Sequence, residues 1–302
     1  MSFATHTQIN EAALQSFHEH LVKSKRMLAL CGAGLSAASG LPTFRGAGGL
    51  WRTFNATELA TPGAFSRDPG LVWQFYSYRR HMAMSVQPNR AHYALAEFAR
   101  KNQHFMCLSQ NVDGLSQRAN HPKESLKLLH GSLAEVKCSE FFCRHKEQNF
   151  TDPIIPLLEL PNIFDISDPD VEIPHLSFKA LLDGGLRCTQ CNKGLLRPGV
   201  VWFGESLPSN VLDDVDRFLS DPEPIDLILV IGTSSSVYPA AGYVDCARDK
   251  GARVATINMD ERDIPQGRIS SMDWFFQGDA SVIVPELLKP VTGHIELPSS
   301  TV

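Results

Sequence analysis

Four of the seven cysteines stand in two close pairs. Cys138 and Cys143 have four residues between them, and Cys188 and Cys191 have two. Four thiolates placed in this way can surround a zinc ion tetrahedrally, which leaves no coordination position for a catalytic water. His145 is an alternative ligand, and buried free thiols are the alternative use of the same cysteines. The pairing favours one structural zinc ion over disulfide bonds.

A glycine-rich turn is the second feature that could do chemistry. Gly32, Ala33 and Gly34 follow the apolar run Met27–Cys31 and precede small residues that suit a helix. Backbone N–H groups at such a turn can bind a pyrophosphate, because the start of a helix carries partial positive charge. A tight turn without a ligand is the alternative, since the third glycine of the dinucleotide fingerprint is absent.

The elements that must position these groups show two alternating patterns. Apolar spacing of the helical kind predicts helices at Glu11–Lys23 and Leu71–Met84, and short apolar runs bounded by turn residues predict strands between helical stretches. Strands that alternate with helices predict a doubly wound α/β fold with a parallel sheet. The predicted strands are Met27–Cys31, Phe105–Leu108, Leu227–Ile231 and Val254–Ile257.

We expect one domain, 1–302, that carries two insertions. The stretch 51–89 is rich in Trp, Tyr, Phe and Arg and predicts a helical module, while 137–204 holds the paired cysteines and predicts a zinc module. The middle of the second insertion, Asp152–Pro174, has little periodicity and predicts a loop. The nucleotide-binding part then comprises about 11–50, 90–136 and 205–290.

Composition narrows the class of protein and its partners. At 302 residues, with 43% apolar and 20% charged residues, the chain suits a soluble globular protein with a substantial core. A formal charge of -5 gives no basic surface for nucleic acid, and no apolar run approaches the roughly 18 residues that span a bilayer. The N-terminus lacks a secretory pattern. We expect no nucleic-acid or membrane partner and a cytoplasmic or nuclear address by default. The sequence leaves the oligomeric state open, with a monomer as one possibility.

The segment Gly32–Gly46 carries a longer pattern than a turn. It reads Gly-Ala-Gly-Leu-Ser-Ala-Ala-Ser-Gly-Leu-Pro-Thr-Phe-Arg-Gly, which resembles the G-A-G-x-S-x-x-S-G-x-P-x-F-R-G signature of the sirtuin family. Other motifs of that family follow in the family's order, so that the resemblance covers about residues 27–290. They are Gln110–Asp113, His130–Ser132, the cysteine pairs, Val201–Glu205, Gly232–Ser234 and Asn258–Asp260.

The resemblance implies a Rossmann-type domain with a small zinc module, and NAD that is consumed as a co-substrate. An acylated lysine of a protein or peptide would meet NAD in the cleft between the two parts, and the products would be free lysine, nicotinamide and O-acyl-ADP-ribose. The implied NAD-binding residues are Gly32, Ala33, Gly34, Ser36, Phe44, Arg45, Gln110, Asn111, Asp113, Gly232, Thr233, Ser234, Asn258, Met259, Asp260 and Ala280. Family resemblance also makes a mitochondrial address an alternative.

Three of the matched residues suit the reaction that the resemblance implies. His130 is the expected general base, because imidazole titrates near neutral pH and can take a proton from a ribose hydroxyl. Asn111 and Asp113 offer the paired donor and acceptor that the nicotinamide carboxamide needs. Ser116 departs from the family, since many sirtuins carry His at that position.

The run Phe75–Arg80 resembles the sirtuin branch that removes succinyl, malonyl and glutaryl groups. Tyr76 and Arg79 are three residues apart, a spacing that puts a phenol and a guanidinium on one helix face, where they can hold a carboxylate. Ala56 and Ala60 match the small residues that widen the pocket in that branch. The resemblance also places Val201 and Phe203 in a strand that pairs with the substrate backbone, with Val237 and Tyr238 on the opposite wall.

Two other functions stay open from the sequence. The chain could be a sirtuin that acts mainly as a deacetylase or an ADP-ribosyltransferase at the same NAD site. It could also be a non-catalytic NAD-binding scaffold, although His130, Asn111 and Asp113 argue against that. A solvated helix face is the alternative use of Tyr76 and Arg79.

Overall fold

The computed structural model describes residues 9–43, 49–159, 168–234, 237–263 and 270–298. No helix in these ranges is both long and apolar enough to cross a bilayer. The strands are β1 Met27–Cys31, β2 Leu50–Trp51, β3 Phe54–Asn55, β4 Phe105–Ser109, β5 Leu126–Leu128, β6 Gly131–Cys138, β7 Lys146–Gln148, β8 Leu196–Val200, β9 Leu227–Ile231, β10 Arg253–Asn258 and β11 Trp274–Gln277. The α-helices are α1 Glu11–Leu21, α2 Gly34–Ala37, α3 Ala56–Leu59, α4 Pro62–Arg67, α5 Pro69–Ser85, α6 Arg90–Lys101, α7 Leu115–Arg118, α8 Phe178–Leu181, α9 Ser209–Ser220, α10 Gly242–Asp249 and α11 Ala280–Thr292.

A six-stranded parallel sheet forms the centre of the molecule, with the order β11-β10-β9-β1-β4-β5. From β1 the chain runs outward through β4 to β5, and then returns to β9 on the other side of β1. The strand order therefore reverses between β1 and β9, which is where such folds bind ligands. This arrangement confirms the predicted Rossmann-type doubly wound fold.

Helices cover both faces of this sheet. On β1, Met27 and Ala29 belong to a core with Phe17 of α1 and with residues of α6 and α11, whereas Leu28 and Leu30 belong to a core with α9 and α10. Side chains of a strand alternate between its faces, so each face has its own hydrophobic core. A strand buried on both faces is apolar throughout, as the predicted runs are.

A third core joins the two insertions. The helical insertion, Leu50–Ser85, packs against an antiparallel sheet of order β7-β6-β8, in which β6 ends at Cys138. Trp73 of α5 donates its indole N–H to the Leu196 carbonyl at 2.9 Å. Arg80 of α5 is buried and donates to the carbonyls of Leu133, Asn149 and Thr151. These bonds fix α5 to the cysteine-bearing sheet.

Candidate active site

Two glycine turns meet at the carboxyl ends of β1 and β9. The Gly34 N–H donates to the Gly232 carbonyl at 2.9 Å, and the Gly32 N–H donates to the Ile231 carbonyl at 2.9 Å. A Cβ on Gly34 would lie 2.6 Å from the Gly232 Cα, and one on Gly32 would lie 2.6 Å from the Thr233 Cβ. Glycine is needed here because the two turns are packed backbone to backbone. This role is additional to the ligand approach expected from the sequence.

Ser36 lies at the centre of a buried hydrogen-bond network beside these turns. Its hydroxyl donates to Asp113 Oδ2 at 2.7 Å and accepts from Asn111 Nδ2 at 3.2 Å. Asn111 Nδ2 also donates to the Gly32 carbonyl at 2.9 Å, and the Leu115 N–H donates to Asp113 Oδ1 at 2.8 Å. The hydroxyl hydrogen of Ser36 is thus directed to Asp113. The network holds the amide and the carboxylate side by side.

His92 completes this network and was not predicted from the sequence. Its buried ring accepts from the Asn89 N–H through Nδ1 at 3.2 Å, and its Nε2 lies 3.4 Å from Ser36 Oγ. Burial, aided by the charge of Arg118, lowers the pKa of His92 to about 3, so the ring is neutral at pH 7. A neutral imidazole that accepts at Nδ1 carries its proton on Nε2, which therefore donates to Ser36. The signal in the sequence was the capping-box spacing of Asn89 and His92.

His130 lies in the short link between β5 and β6. Its Nδ1 is 3.0 Å from the carbonyl of Gln110, which can only accept, so the ring proton is on Nδ1 and Nε2 is the basic nitrogen. Burial lowers the pKa of His130, and the bond to Gln110 acts in the opposite direction. The imidazole is therefore in the form that a general base requires at neutral pH.

The second turn is tied to the next strands by side-chain bonds. Gln110 Nε2 donates to Thr233 Oγ1 at 3.1 Å, and Asn258 Nδ2 donates to the Thr233 carbonyl at 3.0 Å. The Asn258 carbonyl in turn accepts the Gly278 N–H at 2.9 Å. Gln110, Thr233 and Asn258 are thus brought together at the same edge of the sheet as the glycine turns.

The remaining residues of the implied NAD set differ in exposure. Ala33, Ser234 and Asp260 are half-buried, Met259 is exposed, and Ala280 is buried as the first residue of α11. Ser116, the position that departs from the family, is buried in α7. Phe44 and Arg45 lie outside the described residues.

Tyr76 and Arg79 lie on the inner side of α5, one turn apart. The Tyr76 hydroxyl is buried and accepts the Trp202 indole N–H at 3.0 Å. Burial raises the pKa of Tyr76 to about 12, although Arg79 acts in the opposite direction. Burial also lowers the pKa of Arg79, while Tyr76 and Asp113 counteract this effect. The guanidinium therefore interacts electrostatically with both the phenol and the carboxylate of the Ser36 network.

Ala56 and Ala60 are buried in the same core as Tyr76. The Ala60 carbonyl accepts the Phe203 N–H at 2.9 Å. The two small side chains thus lie in the core that holds the phenol.

The strand predicted over Val201–Glu205 is wrong, because β8 ends at Val200. The Val201 N–H donates to the His130 carbonyl at 2.8 Å, and the Trp202 N–H donates to Glu205 Oε2 at 2.9 Å. A turn follows, with Gly204 at a φ of +88°. The segment therefore links the backbone of His130 to the helical insertion, and a substrate backbone would have to bond to its carbonyl groups.

Val237 and Tyr238 are both exposed in the turn that precedes α10. The Val237 carbonyl accepts the Ala241 N–H at 3.0 Å, which fixes the backbone at this point.

The four predicted cysteines form a cluster in which all sulfur atoms lie within 4.8 Å of one another. Cys138 Sγ is 3.7 Å from Cys191 Sγ, and Cys143 Sγ is 3.7 Å from Cys188 Sγ. Two sulfur atoms on a tetrahedral zinc ion, each about 2.3 Å from the metal, lie about 3.8 Å apart. The donor set and its spacing therefore fit zinc. His145 Nε2 is instead 3.3 Å from Glu147 Oε2 and is not in the cluster.

Backbone N–H groups point at two of these sulfur atoms. The Glu140 N–H donates to Cys138 Sγ and the Gly194 N–H donates to Cys191 Sγ, each at 3.4 Å. The N–H groups of Gly194 and Lys193 lower the pKa of Cys191 to about 6. Such donors stabilise the thiolate form that binds zinc.

The parallel sheet has the strand order of a dinucleotide-binding fold, and its site contains the neutral imidazole of His130 and the amide–carboxylate pair of Asn111 and Asp113. The four clustered cysteines add a structural metal site. Together these features define a dinucleotide-binding enzyme. The model of the Sir2 family matches residues 32–239, which is more than half of the chain. The chain belongs to the Sir2 family.

Relatives and solved structures are similar over nearly the whole chain. An NAD-dependent protein deacylase of Candida albicans is 45% identical over 93% of this chain and 99% of its own. The mitochondrial NAD-dependent protein deacylase sirtuin-5 of Danio rerio is 41% identical over 91% of this chain and 86% of its own. The crystal structure of a Sir2 homolog–NAD complex has a TM-score of 0.71 and 36% identity, and covers 94% of each chain.

Proposed function

We propose that the chain is an NAD-dependent protein-lysine deacylase that prefers short acidic acyl groups, namely succinyl, malonyl and glutaryl. The relatives are NAD-dependent protein deacylases by name, and this chain is an enzyme of that class. The observation that supports acidic selectivity is the burial of Tyr76 beside Arg79, in a core lined by the small side chains of Ala56 and Ala60.

The energetics of this pocket favour an anionic acyl group. A carboxylate can accept from the phenol and from the guanidinium at once, and charge-assisted bonds are the strong ones. An acetyl group ends in a methyl and accepts from neither donor, so it lacks these bonds, which are worth roughly 1.5–3 kcal/mol each when one partner is charged. Deacetylation is therefore the weaker activity.

The residues of the NAD side have separate tasks in this proposal. NAD, when bound, supplies the ribose carbon that receives the acyl oxygen. Asn111 and Asp113 hold the nicotinamide carboxamide, and the Ser36 hydroxyl fixes both of them. His130 takes the proton of a ribose hydroxyl at Nε2. One water is consumed when the acyl carbon is released from the lysine nitrogen, and the products are free lysine, nicotinamide and O-acyl-ADP-ribose.

One peptide with four different lysine modifications tests the proposal. The modifications are acetyl, butyryl, succinyl and the neutral terminal amide of succinyl, and nicotinamide release gives kcat/KM for each. We expect the succinyl peptide to exceed its amide by about tenfold or more, because only charge and acceptor capacity distinguish them. The amide separates charge from length, and butyryl separates length from polarity.

Equal or faster turnover of the acetyl peptide would contradict acidic selectivity and leave a deacetylase. Nicotinamide release without loss of any acyl group, together with labelled ADP-ribose on protein, would favour an ADP-ribosyltransferase. No nicotinamide release with any peptide would leave a binding scaffold.

The four cysteines are the residues that would hold one structural zinc ion in this enzyme. Zinc bound there would stabilise the fold of the antiparallel sheet and take no part in the reaction, since four thiolates leave no open position.

The Danio rerio relative is named mitochondrial, which favours a mitochondrial address over a cytoplasmic or nuclear one. Imaging of a fluorescent fusion against a mitochondrial marker tests this address.

A further inference from the structure

Trp202 lies beside the proposed acyl pocket and is held there by Arg197 and Phe65, which pack against its ring. The Arg197 guanidinium carbon lies 3.2 Å from the centroid of the indole, and the Phe65 ring centroid is 5.2 Å away. Arg197 itself donates to both carboxylate oxygens of Glu205, at 2.6 and 3.0 Å. Glu205 Oε2 also accepts the backbone N–H of Trp202. The position of the indole N–H is therefore fixed by the scaffold.

This fixed N–H determines which way the Tyr76 hydroxyl can donate. Trp202 Nε1 donates to the Tyr76 oxygen at 3.0 Å and so occupies one of its lone pairs. The hydroxyl hydrogen lies near the plane of the phenol ring and must point away from a donor. The positive charge of Arg79 interacts with the same phenol. Neither Trp202 nor the Arg79 guanidinium can accept a hydrogen bond from the Tyr76 hydroxyl. The hydroxyl hydrogen therefore needs an acceptor from another group.

We propose that Trp202 is a specificity-determining positioning residue: its indole N–H orients the Tyr76 hydroxyl so that the hydroxyl donates to the carboxylate of an acidic acyl group. This rests on the proposed function and adds to it a residue that does not touch the reacting atoms. Trp202 acts through Tyr76, and Arg197 and Glu205 act by holding Trp202. Selectivity for the acidic acyl group thus depends on a chain of contacts that begins outside the helical insertion.

Trp202→Phe tests the proposal, because it keeps an aromatic ring against Arg197 and removes the N–H. The readout is the ratio of kcat/KM for succinyl peptide to that for acetyl peptide. We expect this ratio to fall about 3- to 10-fold, mainly through KM of the succinyl peptide, as loss of one orienting hydrogen bond implies. Turnover of the acetyl peptide should change little, since acetyl has no carboxylate to bind.

Trp51→Phe is the matched control. Trp51 lies in the same hydrophobic core, and its buried indole N–H has no hydrogen-bond partner among the described residues. The same change of ring there should leave the selectivity ratio unaltered, which separates loss of the N–H from loss of ring size.

A double-mutant cycle decides whether Trp202 acts through Tyr76. In the Tyr76→Phe background, Trp202→Phe should cause no further fall in the ratio, because no hydroxyl is left to orient. A full additional fall would overturn the proposal, and so would an unchanged ratio in Trp202→Phe alone. An unselective wild-type enzyme would instead refute the proposed function. If Trp202→Phe unfolds, Tyr76→Phe with its hydroxyl-free ring still reports whether the phenol contributes to selectivity.

Discussion

The site has two sides in the proposed function, the NAD side around Ser36 and the acyl side around Tyr76. On each side a hydroxyl group is oriented by hydrogen-bond donors, but the donors differ in charge. On the NAD side, neutral His92 and Asn111 both donate to Ser36, which directs its hydrogen to Asp113. On the acyl side, Trp202 donates to Tyr76, and the charged Arg79 lies beside the phenol. Each side thus has a hydroxyl that is fixed by donors from the scaffold. The hydroxyl of the NAD side is fixed by two neutral donors and a carboxylate, whereas that of the acyl side lies between a neutral donor and a guanidinium.

The difference separates the two halves of the function. In the proposed function, Asn111 and Asp113, which follow β4, and His130, which follows β5, serve a step common to all acyl groups. The acyl-side residues lie on α5 and on the segment after β8, so selectivity can change without changes at the sheet. Arg79 connects the halves, because its charge interacts with both Tyr76 and Asp113. The following predictions test this separation, from the largest effect to the smallest.

Loss of the metal site should damage both sides at once. Cys188→Ser removes one of four thiolates in the core that also carries α5, so we expect loss of zinc, a lower melting temperature and at least about a hundredfold loss of activity on every acyl peptide. Metal analysis and thermal unfolding measure this. Cys246→Ser, at an exposed cysteine of α10, is the control and should retain about one zinc per chain. A folded, zinc-free, active Cys188→Ser enzyme would contradict the metal assignment.

Removal of the base should affect the NAD side alone. His130→Ala should lower kcat/KM by about 10²- to 10⁴-fold on succinyl and acetyl peptides alike, so that their ratio is retained. His81→Ala, at a histidine paired with Asp152 outside the site, is the control and should keep full activity. A change of the selectivity ratio in His130→Ala would mean that the halves are not separate.

Acid should lower the stability of the whole protein through two buried histidines, one of which, His92, belongs to the NAD-side network. Burial lowers the pKa of His92 to about 3 and that of His121 to about 4, below the value of about 6.5 in an unfolded chain. The unfolded chain therefore binds protons that the folded protein does not, and stability falls as pH drops from about 6.5 toward 4. Each histidine contributes about 1.4 kcal/mol per pH unit in this window.

Urea unfolding at pH 7, 6 and 5 measures this slope. His121→Asn should remove about half of the histidine contribution, while the same change at exposed His104 should leave the slope unchanged. Equal stability at pH 7 and pH 5 in the wild type would show that these rings are not buried as neutral groups.

The sequence predicted the central sheet well because its inner strands are apolar runs. β1 and β9 have the predicted bounds, and β4 and β10 extend by one or two residues. The edge strands β5 and β11 were missed, since three or four residues that include Lys127 or Gln277 carry no clear signal. The strand predicted after Val200 does not form, because the Trp202 N–H donates to the Glu205 carboxylate and the chain turns there. Sequence periodicity does not reveal a bond of this kind between a side chain and the backbone.

The sequence predicted site residues that stand within a short motif. It did not predict residues that reach the site only through contacts between distant parts of the chain. The cysteines meet as their spacing implied. His92 and Trp202 were not predicted as functional neighbours, because their partners Ser36 and Tyr76 are 56 and 126 residues away in sequence. Helical spacing put Arg79, and not Arg80, on the face of Tyr76, but it could not predict the carbonyls that Arg80 binds, because they lie 53 to 71 residues away in sequence.

The selectivity of Arg79→Met is the most direct test of the separation between NAD side and acyl side. The variant keeps an unbranched apolar stem and removes the guanidinium with its charge. We expect kcat/KM for the succinyl peptide to fall about 10- to 100-fold, in line with loss of a charge-assisted hydrogen bond, while that for the acetyl peptide stays within a few-fold of wild type. An equal fall on both peptides would place Arg79 with Asp113 in the common step and contradict its role in recognising the acyl carboxylate.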